Sequence, residues 1–111
     1  QDRLGRLKLS WEKSKCMTIV LCSKGYPGKY KKNKIIILKI FEDKKNIFIF
    51  QAGTKTLNNN LVSNGGRVLN VVAKGKSFLK IRKNILKHLK KINWNYGFFR
   101  KDIGWRVIKK K

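Results

Sequence analysis

The chain has 111 residues, a hydrophobic fraction of 41% and a formal charge of +24, with 29 lysines and arginines against five acids. That length points to one domain with a modest core, and no apolar run nears the roughly 18 residues that a membrane-spanning helix needs. Five carboxylates, two of them adjacent as Glu42-Asp43, and one histidine do not supply the clustered groups that acid–base catalysis or a magnesium site requires.

The charge has two readings. Clustered cations release counterions from phosphate and favour nucleic-acid binding. Yet 23 of the cations are lysines spread over the whole chain, beside 10 Asn and 12 Ile. All three residue types share AT-rich codons, so a biased genome accounts for the composition, whereas base readers favour the arginine fork. Weak, non-specific nucleic-acid binding at low salt is expected either way. Cys16 and Cys22 lie six apart in one strand-like stretch, roughly 20 Å if extended, too far for a disulfide. With no CxxC pair and no Cys/His cluster, no zinc site is expected. A reducing, cytoplasmic compartment is favoured, with both thiols read as small buried residues.

In chain order, the segment from Gln1 to Leu9 has three leucines among charges and no signal-peptide pattern. It reads as the end of a preceding domain or a linker, over residues 1–10, with the domain proper at 11–111. Lys15 to Ser23 is mostly apolar and β-rich, a buried strand. Gly25-Tyr26-Pro27-Gly28 is a turn around the chain's one proline. Lys29 to Lys34 is a solvated lysine run. Lys34 to Ile40 and Asn46 to Gln51 are two further strands, joined by a charged turn. The polar run Lys55 to Asn60 reads as a turn, and Leu61-Val62 starts the return strand.

Asn64-Gly65-Gly66 supplies positions that tolerate positive φ, followed at once by Arg67, whose planar donors suit a carboxylate or phosphate. An ordinary hairpin turn with a surface arginine is the plainer alternative. Gly65-Gly66 lacks the spacing of a phosphate-binding loop. Arg67 to Ala73 is a buried strand. Ser77 to Ile92 carries Phe78, Ile81, Ile85, Leu89 and Ile92 at helical spacing, with Ser77 as N-cap and a lysine face outward. His88 lies off that stripe and reads as a surface residue on a helix without a nearby acid. The tail holds Trp94, Tyr96, Phe98, Phe99 and Trp105, which either close the core or offer a stacking platform, and Asp102 is placed to pair with a neighbouring cation. The expected class is α+β: a small antiparallel sheet of about five strands, barrel-like or sandwich-like, with one amphipathic helix over about 77–92.

Three blocks carry a resemblance: Ser23 to Tyr30 (SKGYPGKY), Ala52 to Lys55 (AGTK) with Val62 to Leu69 (VSNGGRVL), and Arg100 to Arg106 (RKDIGWR). Together they resemble the C-terminal domain of glycinamide ribonucleotide synthetase (phosphoribosylamine–glycine ligase), of the ATP-grasp superfamily, over about Trp11 to Ile108. The resemblance implies a ligase of de novo purine synthesis that joins glycine to phosphoribosylamine while ATP becomes ADP and phosphate. ATP and Mg²⁺ or Mn²⁺ would be held by N-terminal and ATP-grasp domains, and none by this domain alone. It implies a domain that is not catalytic by itself, packs on the ATP-grasp core and helps wall the substrate cleft. Gly25, Tyr26, Pro27, Gly28, Asn64, Gly65, Gly66 and Arg67 would face that cleft, and Arg100, Lys101, Asp102 and Gly104 would serve interdomain packing. Arg67 would hold the ribose 5-phosphate, the alternative being that it and the two turns serve interdomain packing alone. Lys24 departs from the family, which usually has a small residue there. The competing readings are a basic nucleic-acid-binding module and a decayed or split gene product.

Overall fold

The computed structural model describes residues 13–39 and 45–102. Within them, eight strands and one helix follow in the order β1 (Lys15–Ser23), β2 (Ile37–Leu38), β3 (Ile47–Gln51), β4 (Thr54–Leu57), β5 (Asn60–Ser63), β6 (Arg67–Gly75), α1 (Phe78–Leu89), β7 (Ile92–Asn93) and β8 (Gly97–Phe98). The main sheet has the order β3-β6-β1-β8, and β2-β7 and β4-β5 form two-stranded ribbons. All the pairings are antiparallel. The α+β class with one helix therefore holds, with the strands more numerous and shorter than the expected five. The expectations for Trp11, the Glu42-Asp43 turn, Gly104 and Trp105 concern residues outside those described.

The two long strands, β1 and β6, pair from Lys15↔Gly75 to Cys22↔Arg67. In β1 the residues Met17, Ile19, Leu21 and Ser23 are buried, while Lys15, Cys16 and Thr18 are exposed. This period of two marks a strand with one covered face, not the strand buried on both faces that its apolar composition suggests. The two cysteines fall on the other face: Cys16 is exposed and Cys22 half-buried, so neither is the fully buried residue expected.

A register shift sits between Leu21 and Cys22, where Val68 is the extra residue of β6. Val68 and Leu69 are both fully buried and Arg67 is exposed. Without the bulge, the alternation that buries Ala73, Val71 and Leu69 would turn Arg67 inward. One inserted residue reverses it outward.

α1 packs across β6 and β1. Ile81, Ile85 and Leu89 join Met17, Ile19, Leu21, Val68, Leu69, Val71 and Ala73 in one core, with Ile36, Ile47 and Trp94 closing its edges. The helix is shorter than its apolar stripe. It stops at Leu89, and Ile92 pairs instead with Leu38 across β7 and β2. Ser77 holds the extended N-cap backbone, but its hydroxyl makes no capping bond. His88 is 2% exposed, not a surface residue, and its Nδ1 donates to the Asn84 carbonyl at 2.8 Å, one turn earlier on the same helix. Two further expectations change. The Lys55 to Asn60 run is a hairpin, with the turn confined to Asn58 and Asn59 at φ 52° and 65°, the left-handed pair a two-residue hairpin needs. The isoleucine run is mostly irregular: Ile35 makes a single bridge to Val62, Ile36 is buried, and only Ile37–Leu38 pair as a strand.

Ile85 is fully buried beneath the sheet. Ile85→Ala should lower the unfolding free energy by about 2–5 kcal/mol, seen as an earlier urea midpoint at unchanged slope. A loss below about 0.5 kcal/mol, the level of ordinary surface substitutions, would place Ile85 outside the core.

Candidate functional site: a junction of glycine turns

The turns that sequence reasoning singled out meet at the end of β1. Ser23, 1% exposed, donates twice: its backbone N–H to the Gly66 carbonyl at 2.7 Å, and its hydroxyl to the Gly65 carbonyl at 2.7 Å. The chain then turns, with the Tyr26 N–H donating back to the Ser23 carbonyl at 3.0 Å. Gly25 has φ +100°, and a Cβ there would lie 2.0 Å from the Lys29 carbonyl oxygen, so both its conformation and its space require glycine. The Tyr26–Pro27 peptide is cis.

Tyr26 lays its ring directly on Gly66. A Cβ at Gly66 would fall 1.9 Å from ring Cδ1 and 2.4 Å from Cε1. The third turn joins from the side. Ala52 and Gly53 donate to the Val68 carbonyl, the Asn64 N–H donates to the Gly53 carbonyl at 2.7 Å, and a Cβ at Gly53 would sit 2.5 Å from the Arg67 carbonyl oxygen. Gly25, Tyr26, Asn64, Gly65, Gly66 and Arg67 are thus brought together, with Pro27 and Gly28 on the same turn. The reason for the glycines differs from the one the sequence suggests. None of Asn64, Gly65 and Gly66 has a positive φ. Gly66 is needed because the Tyr26 ring occupies the place of its side chain.

Two residues of this junction carried no special weight in the sequence beyond lying inside matching blocks. One is Ser23. The other is Ser63, fully buried, which donates its N–H to the Lys34 carbonyl at 2.9 Å, accepts from the Asn33 N–H at 2.7 Å, and accepts at its hydroxyl from the Lys34 N–H at 3.2 Å. It fixes the lysine loop against β5. The available signal was position: each is a small hydroxyl at the end of an apolar strand, just before a glycine turn.

Arg67 stands exposed beyond the bulge, across the ladder from Cys22. Burial pushes the Cys22 thiol up, and the Arg67 guanidinium pulls it partway back. The arginine is therefore close enough to be felt, while its fork remains open to solvent.

The Arg100–Asp102 segment belongs elsewhere. Arg100 holds Asp102 with two bonds, Nε–Oδ1 at 3.2 Å and a second guanidinium nitrogen to Oδ2 at 2.8 Å, in an ion pair that is largely exposed. The hydrogen bond from Arg100 holds the Asp102 carboxyl below its usual range. The Lys101 carbonyl accepts from the Arg82 guanidinium on α1. Arg100 also lines a cavity of about 150 Å³ with Thr18, Val20, Cys22 and Phe98 on the uncovered face of β1 and β8. Among the described residues, no group of three or more His, Cys, Asp or Glu is placed to hold a metal.

If Tyr26 and Gly66 interlock as described, Gly66→Ala should cost about 1–3 kcal/mol through overpacking. In a Tyr26→Ala background the same change should cost much less. Urea midpoints of the four proteins check this, and an equal cost in both backgrounds would refute the interlock.

The family model of the phosphoribosylglycinamide synthetase C domain matches residues 16–106. The chain is 42% identical to the chloroplastic phosphoribosylamine–glycine ligase of Arabidopsis thaliana, over 100% of this chain and 21% of that protein. It is 40% identical to the phosphoribosylamine–glycine ligase of Agrobacterium fabrum, over 95% of this chain and 25% of that protein. The crystal structure of phosphoribosylamine–glycine ligase from Thermotoga maritima superposes with a TM-score of 0.69 at 30% identity, covering 78% of this chain and 21% of that one. The chain thus spans about a fifth to a quarter of the length of these relatives. By its sequence over residues 16–106 and by its fold, it belongs to the phosphoribosylglycinamide synthetase C-domain family.

Proposed function

We propose that this chain serves as the closing domain of a phosphoribosylamine–glycine ligase, an ATP-dependent C–N ligase of purine synthesis. In this reading residues 11–111 are the C-terminal domain and residues 1–10 lead into it. It works in the cytoplasm against N-terminal and ATP-grasp domains of the same enzyme. The observation that carries the reading is the Ser23–Tyr26–Gly66 joint. It fastens the Gly25-Tyr26-Pro27-Gly28 turn to Asn64-Gly65-Gly66-Arg67 and makes one wall of two separate motifs.

ATP and its Mg²⁺ or Mn²⁺ would supply the activation of glycine in such an enzyme. The described residues do not fit that pair: their one carboxylate, Asp102, is exposed and already held by Arg100. No chemical step is therefore assigned to the described residues. Its part is positioning. Arg67, presented by the bulge and open to solvent, holds the ribose 5-phosphate of phosphoribosylamine with its planar donors. The turns around it exclude water from one side of the cleft. Arg100, Lys101, Asp102 and Gly104 pack against the neighbouring domains beside the apolar cavity of β1 and β8.

Arg67→Ala, in the enzyme that contains this domain together with its catalytic domains, should raise KM for phosphoribosylamine about 10- to 100-fold, the loss of a charged hydrogen-bonding pair. Its kcat should stay within about threefold, since the contact is made equally before and during the reaction. An unchanged KM removes Arg67 from the substrate site.

A further inference from the structure

A cleft of about 380 Å³ opens between the 24–31 loop and Tyr96, lined by Lys24, Lys29, Tyr30, Lys31 and Tyr96. Arg67 does not line it. The size falls in the range of small-molecule sites, about 300–1,000 Å³. Its lining residues are three lysines and two tyrosines, with no carboxylate among them. Lys34 does not line the cleft, but its ammonium group reaches the ring of Tyr96, which does. The Lys31 and Lys34 ammonium groups lie 5.8 Å and 4.5 Å from the centroid of the same ring, that of Tyr96. The ring attracts both cations, and an anion bound beside them would offset their mutual repulsion.

The backbone holds these lysines together. The Lys24 N–H donates to the Tyr96 carbonyl at 2.8 Å, and Ser63 takes both ends of Lys34. Gly25 folds the loop so tightly that the Lys29 carbonyl occupies the place of a side chain. The loop that carries these lysines is therefore anchored by its backbone, at Tyr96 and, through Lys34, at the buried Ser63.

We propose that this cleft binds the phosphate chain of a di- or triphosphate. A single phosphate carries about −1.5 to −2, too little to balance four ammonium groups, whereas two or three linked phosphates come close. Lysines suit this task as compact point charges that need no fixed bidentate geometry. A nucleic-acid strand fits less well. Stacking of bases needs open aromatic faces, and the Tyr96 ring is already approached by two lysines.

The test is calorimetric titration of the 111-residue chain at 0.15 M salt with inorganic tripolyphosphate, orthophosphate and a single-stranded 20-nucleotide DNA. The proteins are the parent, Lys24→Ala/Lys31→Ala, and Lys83→Ala/Lys87→Ala, which removes equal charge from α1. Tripolyphosphate should saturate one site and bind at least tenfold tighter than orthophosphate. The cleft variant should lose at least tenfold in affinity, and the helix variant less than twofold. Equal losses in the two variants, or no saturation at this salt, would reduce the cleft to non-specific charge and overturn the proposal. DNA binding tighter than tripolyphosphate, and lost in the cleft variant, would reassign it to nucleic acid.

Discussion

Ser23 is the point on which the arrangement depends. It ends β1 almost wholly buried and gives both of its donors to the carbonyls of Gly65 and Gly66. Each such bond contributes only about 0.5–1.5 kcal/mol net, yet removing the donor leaves a buried carbonyl unsatisfied, at about 1–3 kcal/mol. The asymmetry matters more than the gain. It disfavours separation of the two turns while the sheet stays folded. Tyr26 then closes on Gly66 at a distance only glycine permits, and Gly53 brings in the third turn beneath Arg67.

The placement of Arg67 follows from a second constraint. β6 must bury Leu69, Val71 and Ala73 against α1, and strict alternation would carry Arg67 into that core. A buried, unpaired guanidinium would be far more costly than a lost ladder bond. The bulge at Val68 removes the conflict by adding one residue, and the arginine emerges next to the turns. The device that protects the core therefore also sets the position of the cation. Ser63 plays the matching part for the lysine loop and holds Lys34 by both of its backbone groups.

Much of this was legible in the sequence, and its limits have physical causes. The helix was readable because its period is local: Phe78, Ile81, Ile85 and Leu89 repeat without reference to anything else. Its end was not, since Ile92 continues the stripe but is claimed by Leu38, more than fifty residues earlier. β1 was readable as a strand, but its face was not. Cys16, Thr18 and Val20 look as buriable as their neighbours, and only the position of α1 decides between them. Asn58-Asn59-Asn60 signalled a turn but not how tight it is, because asparagine tolerates the left-handed region with no glycine as a marker. The same limit hid the purpose of Gly66, whose requirement comes from a ring forty residues away in sequence. His88 looked like a surface residue because it lies off the apolar stripe, and nothing in the sequence shows that its ring can bond the Asn84 carbonyl one turn earlier.

The motif blocks named the candidate residues, and the fold divides them. The two glycine turns and Arg67 converge, while Arg100 and Asp102 pair with each other and tie to α1 through Lys101. The sequence could not make that division, because lengths of chain between motifs say nothing of which ends meet.

The most direct test of the joint is a double-mutant cycle between Tyr26→Ala and Arg67→Ala, read as KM for phosphoribosylamine in the ligase proposed to contain this domain. If the Tyr26 ring on Gly66 sets the position of Arg67, losing the ring already spoils the arginine contact. The two losses should then fail to add by about 1 kcal/mol or more, within the coupling measured for residues in one network. Additive losses within about 0.3 kcal/mol, as found for independent sites, would mean that the two motifs meet in space but act separately, and the account would be wrong.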